Sequence, residues 1–126
     1  GPEAYVRAQP IFLYPAMWLA KNAERAKHED AHGLAGFQGA DTLRRRIGAL
    51  LRFDATTDLA AMKLPVFVVA SRDDVLVPAT RSEELAAKIP GAELHMATYG
   101  GHGINVTEPE AFNALMLDFL GRHGNA

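Results

Sequence analysis

The sequence contains no cysteine. That removes a disulfide framework, thiolate metal sites and a cysteine nucleophile, and it suits a reducing compartment, so the expected setting is cytoplasmic. Serine is nearly absent as well: only Ser71 and Ser82 occur, and neither is flanked by glycines. A nucleophile elbow of the G-x-S-x-G type is therefore missing. No apolar run approaches the ~18 residues of a membrane span. The opening GPEAYVRAQP lacks a methionine and any charged-then-apolar build-up, so no leader is expected and the chain reads as a piece of a longer protein. No excess of positive charge marks a nucleic-acid or anionic-membrane surface, because the net charge is −2.

What is present is ordinary for one globular domain: 126 residues, 48% hydrophobic and 22% charged. From Tyr14 to Leu51 the pattern is helical. Pro15 suits a first turn, with Met17, Trp18, Leu19, Ala23 and Ala26 following it. Asp41 is a candidate cap for a second helix carrying Leu43, Ile47, Leu50 and Leu51. Arg44, Arg45 and Arg46 lie on that helix and read as a solvated face, with an anion or partner contact as the alternative.

After Ala60 the rhythm changes. PVFVVAS, Pro65 to Ser71, is a continuous β-branched run that predicts a strand buried on both faces. Thr80 and Glu83 predict a capping box on the next helix, which Pro90-Gly91 stops. AELHMAT alternates, with Leu94 and Met96 inward and Glu93 and His95 outward. Thr107 and Glu110 predict a second capping box, and Phe112, Leu115, Met116, Phe119 and Leu120 a helical stripe that Gly121 ends. The order β-α-β-α implies an α/β fold with two parallel strands. Two strands cannot supply neighbours on both edges of a buried strand. The rest of the sheet must come from a missing segment or from another copy of the chain.

Ligands gather at the carboxyl ends of parallel strands. Two loops leave such ends. SRDDVLVP places Asp73 and Asp74 after the first strand, and TYGGHGIN places His102 after the second. A carboxylate beside histidine Nδ1–H fixes its tautomer and stabilises the imidazolium formed on proton transfer. The plain alternative is an Asp turn beside an exposed loop histidine.

These residues match a family. PVFVVASRDDVLVP followed by YGGHGINVTEPEAFNALMLDFL resembles the C-terminal half of α/β-hydrolase-fold enzymes, whose acid loop ends in D-x-x-x-P, here Asp74 to Pro78. AQPIFLYPAMW, FQGADTLRRRIGALL and YGGHGINVTEPEAFNALML are similar, more narrowly, to the pyrimidine-utilisation protein D family, aminoacrylate (earlier carbamate) hydrolases of uracil breakdown. The resemblance implies a helical cap over residues 1–53 and the C-terminal part of the hydrolase core over 54–126. It implies Asp74 as triad acid, with Asp73 as second choice, and His102 as general base. It also implies hydrolysis of aminoacrylate to malonic semialdehyde and ammonia without metal or cofactor. The serine would lie in an N-terminal half outside this chain. Expected partners are a small-molecule substrate and that missing half, or a second copy; which residues bind the substrate is unknown from sequence.

Other readings compete. HEDAH, His28 to His32, matches the H-E-x-x-H pattern of zinc hydrolases, but Lys27, Asp30 and Gly33 favour an exposed cap helix without metal. VFVVASRDD is distantly similar to the acidic strand end of a phospho-accepting receiver domain, a non-catalytic interaction module that the helical first third argues against. His95 and His123 read as a strand residue facing solvent and a helix-end cation. Tyr14 and Trp18 are candidates for a pocket lining or for plain core packing.

Overall fold

The computed structural model describes residues 1–124. Four helices come first: α1 (Pro2–Leu13), α2 (Ala16–Lys21), α3 (Ala23–Ala35) and α4 (Ala40–Arg52). A 3₁₀ turn at Leu59–Ala61 leads to β1 (Phe67–Ser71), α5 (Ala79–Lys88), β2 (Glu93–Ala97), α6 (Ile104–Thr107) and α7 (Pro109–His123). β1 and β2 pair in parallel, in the register Phe67–Glu93 to Ser71–Ala97. The strands come from β-branched and alternating runs, and α5 supplies the crossover between them.

Several local expectations are corrected. α1 was not anticipated, because Pro2 and Pro10 bracket a segment with no clear apolar period. Pro2 sits in the first turn, where its missing N–H costs nothing, and Pro10 sits in the last turn of the helix. Pro15 precedes α2 as its N-cap instead of lying within it. Asp41 does not cap α4; Gly39 holds the cap position, and Asp41 pairs with Arg44 at 2.7 Å one turn on. Thr80 lies inside α5, whose N-cap is Pro78 and carries no side-chain hydrogen bond. α7 runs through Gly121 to His123 and closes at Gly124, since glycine weakens a helix without ending it.

The buried apolar side chains are few: Val6, Trp18, Val68, Ile89 and Phe119. β1 is half-buried instead of fully buried, with only Val68 and Ser71 enclosed. Among the described residues its sheet has two strands, so one edge of β1 has no partner. In β2 the expected faces are not kept: Leu94 is exposed and Glu93 half-buried. α7 engages the Glu93 face. Arg122 grips Glu93 with two hydrogen bonds of 2.7 Å, and His123 Nε2 lies 3.1 Å from the same carboxylate. Hydrogen bonds from Arg122 and His123 hold the Glu93 carboxyl down at about 2. Phe119 stacks on Phe67 at 5.1 Å, completing the seam between α7 and the sheet.

Apolar side chains of α4 and its surroundings face outward. Leu51 is 83% exposed and Phe53 76%, with Ile47, Leu50 and Leu64 also open. Arg44, Arg45 and Arg46 are exposed on the same helix, as a solvated face requires. No described helix is long and apolar enough to cross a membrane.

Candidate active site

Parallel pairing brings the two strand-end loops to one rim. Arg72 N–H donates to Ala97 O at 2.9 Å and continues the ladder past the last strand residues, so the loops diverge from a common point. Beyond it, Asp74 folds into a tight turn. Its Oδ1 accepts the backbone N–H of Leu76 at 2.8 Å and of Val77 at 2.9 Å. This is the local turn chemistry of aspartate, and it aims the second carboxylate oxygen across the rim. His102 Nδ1–H donates to that oxygen, Oδ2, at 2.9 Å. The Asp74 side chain is 12% exposed and that of His102 is 38% exposed. In the neutral ring, Nδ1–H on the carboxylate leaves the lone pair on Nε2, the tautomer a general base needs.

Asp73 takes a different part. Its carboxylate accepts the hydroxyl of Ser71, the N–H of Gly101 at 2.9 Å and the N–H of Gly100 at 3.3 Å. Burial alone would raise its pKa. The hydrogen bonds from Ser71 and from the Gly101 and Gly100 amides outweigh that and hold it below the ordinary aspartate value. Of the two adjacent acids, Asp74 faces the imidazole and Asp73 ties down the backbone that carries it.

That backbone requires glycine. Gly100 and Gly101 have φ of 139° and 65°, and a Cβ on Gly101 would come 3.0 Å from Leu13 O. A Cβ on Gly103 would come 2.6 Å from the Tyr14 ring. The loop thus presses on the junction of α1 and α2, and Gly103 N–H donates to Leu13 O at 2.8 Å. Tyr14 lies 4.7 Å from the buried Trp18 ring and donates its hydroxyl to Glu29 Oε2 at 2.9 Å. Burial, then the bond to Glu29, pushes the Tyr14 hydroxyl above its ordinary value. These residues pack the loop; they were candidates for lining a pocket or for the core, and they serve the second purpose in part.

Thr107 is a residue the sequence reading misplaced. It forms no capping box with Glu110, because α7 starts at Pro109 with Glu108 as N-cap. Thr107 is buried at the end of α6, and its hydroxyl donates to Gly100 O at 2.8 Å. The histidine loop is therefore held from both sides: Asp73 takes its amides and Thr107 its carbonyl.

The remaining histidines stand apart. His28 and His32 are exposed on α3, and among the described residues no group of three His, Cys, Asp or Glu side chains is arranged to hold a metal. His95 is half-buried beside a groove of about 430 Å³ formed by β2, α6 and α7. His123 sits at the end of α7 against Phe119 and Glu93, as a helix-end cation would. A second hollow of about 190 Å³ lies among α1, α3 and α4. Neither concavity includes Asp74 or His102.

Comparison with known proteins gives this geometry its context. No protein-family model matches the chain. It is 52% identical over 120 residues to a Caulobacter sp. (strain K31) protein named "Putative carbamate hydrolase RutD", covering 95% of this chain and 45% of that protein. A protein of the same name from Agrobacterium fabrum is 49% identical, with 95% and 46% covered. The chain spans about half the length of the curated relatives it matches. Among solved structures, a hydrolase from Pseudomonas aeruginosa PA01 aligns at 27% identity with a TM-score of 0.75, over 94% of this chain and 43% of that one. The enol-lactonase of Burkholderia xenovorans LB400 shares the fold, with a TM-score of 0.80 at 20% identity over 96% of this chain and 45% of that one. The chain is thus homologous to the RutD proteins over 95% of its length, and its architecture is part of the α/β-hydrolase fold.

Proposed function

We propose that this chain is the C-terminal, acid-and-base portion of a serine-type α/β-hydrolase. Its substrate is a small carbamate- or aminoacrylate-like C–N compound of pyrimidine (uracil) breakdown. The observation that carries the proposal is the Asp74–His102 hydrogen bond of 2.9 Å at the strand ends, with Nε2 left free. The names of the relatives support the substrate class. In the proposed reaction His102 Nε2 takes a proton from the serine hydroxyl, or from water, as the new bond to substrate carbon forms. Asp74 stabilises the resulting imidazolium, and the proton then passes to the departing nitrogen. For aminoacrylate and one water the products are malonic semialdehyde and ammonia: oxygen bonds to C3, the C=C electron pair takes one hydrogen at C2, and the C–N bond breaks as the other hydrogen leaves with ammonia. Residues 1–53 act as the cap over the site, and residues 54–126 complete the core.

Ser71 does not supply the nucleophile. It is buried, and its hydroxyl is donated to Asp73. The serine and the oxyanion donors come from the other half of the enzyme. The zinc alternative at His28 and His32 lacks a third ligand among the described residues.

An ester-hydrolysis assay tests the proposal on this chain alone, on its mixture with the complementary half, and on variants. The chain alone should stay at background, since loss of one oxyanion donor alone costs ~10²–10³ in rate and triad members act as a unit. The mixture should turn over substrate. His102→Ala should abolish most of that activity and His32→Ala should not. His102-dependent turnover by the chain alone would place the nucleophile within these residues and overturn the assignment.

A further inference from the structure

Outside the Asp74–His102 site, one pair of side chains is arranged for chemistry that the hydrolase reading does not use. His28 and His32 are one turn apart on α3, so both rings project from the same face of the helix. Their Nε2 atoms lie 3.0 Å apart, and the rings are nearly perpendicular at 80°. Both residues are exposed, so metal entry needs no opening of the fold.

We propose that His28 and His32 form a two-nitrogen chelate for a divalent transition metal, with copper(II) and then nickel(II) preferred over zinc. Copper(II) leads the intrinsic affinity order for divalent ions at nitrogen sites, and that order sets the preference. The 3.0 Å contact is a hydrogen bond between the two rings. Coordination replaces it: each ring keeps its hydrogen on Nδ1 and turns its Nε2 lone pair to the metal.

The nearby carboxylates do not complete a protein cage. Glu24 is paired with Lys27 at 2.6 Å. Glu29 is held by Arg25 at 3.1 Å and by Tyr14 at 2.9 Å. Water fills the remaining positions, so this is a binding site on the helix and not a zinc-hydrolase centre. Protons compete for the same lone pairs, so acidification weakens the complex.

The test is calorimetric titration of the untagged chain with copper(II), nickel(II) and zinc chloride, with copper binding also followed by its electron spin resonance. The expected result is one copper per chain, with superhyperfine splitting from two nitrogens and affinity in the order copper, nickel, zinc. His28→Ala and His32→Ala should each weaken copper binding on the order of 10²-fold, the loss of an intramolecular second contact. His95→Ala should leave it unchanged. The double substitution Lys27→His with His28→Ala keeps the number of histidines but breaks the spacing, and it should bind as weakly as His28→Ala alone. All four positions are outside the core, and circular dichroism checks that each variant keeps its helices. Copper binding that survives both single substitutions, or zinc bound more tightly than copper, would overturn the proposal.

Discussion

Asp73 and Asp74 are adjacent in sequence, yet their carboxylates serve different partners. Asp74 meets the imidazole, and Asp73 meets the Gly100 and Gly101 amides. In the assembled enzyme, Asp74→Asn should lower kcat by about 10⁴, because an amide no longer enforces the tautomer with Nε2 free. Asp73→Asn should lower it much less while speeding amide hydrogen exchange at Gly100 and Gly101. Equal losses of kcat from both substitutions would show that the two acids do not divide the task. The sign of the acid response follows from Asp73. Its folded pKa lies below the ordinary value of 3.8, so its contribution to stability is full above that value and fades as pH falls toward the folded one. Acid unfolding of the chain should therefore become less steep in Asp73→Asn, measured by circular dichroism between pH 5 and 2 (a range set by the ordinary carboxylate values, ~4). That Asp74 and His102 would meet at the strand ends was legible in the sequence, because D-x-x-x-P and GGHG each carry their own turn chemistry. The role of Asp73 was not, since residue type at a strand end gives a candidate acid but not the direction in which it points.

The elements were legible where an apolar period ran unbroken, as in β1, and obscure where a local pattern had two physical uses. Thr107 and Glu110 fit a capping box. A four-residue helix, α6, intervenes, and the threonine hydroxyl is consumed by Gly100 O instead. In β2, Glu93 lies on the face toward α7 and pairs there with Arg122 and His123, while Leu94 on the opposite face stays exposed. The first helix was hidden by its prolines: Pro2 lies in the first turn, where proline is tolerated, but Pro10 lies inside the helix and removes the hydrogen bond its N–H would make to Val6. The Thr107 bond gives a specific expectation. Thr107→Val keeps shape but leaves the Gly100 carbonyl without its side-chain donor, and it should destabilise the fold by about 1–3 kcal/mol in urea denaturation. Thr107→Ser restores the hydroxyl and should recover most of that loss. A Thr107→Val protein as stable as the parent would mean that water replaces the hydroxyl at no cost.

At the scale of the whole molecule, the apolar side chains left open on α4, at Phe53 and Leu64, and the unpaired edge of β1 exceed what scattered surface residues explain. Light scattering should find the chain heavier than one copy at micromolar concentration. Adding the complementary half of the hydrolase should convert it to a one-to-one complex. A single chain that stays monomeric at every concentration, with this edge open, would contradict that expectation. The need for more sheet was legible in the β-branched run of β1, but the outward-facing helix was not, because an amphipathic stripe does not say what it packs against. One further consequence follows from the bond between Gly103 N–H and Leu13 O. Leu13 ends the first helix, and Gly103 adjoins the imidazole. Helices that lift to admit a ligand must either snap this tether or drag the histidine with them. On the proposed reading of these helices as a cap, ligand entry and alignment of the base would be geared together, and a gate that swings wide would leave the proton acceptor out of position until it shuts.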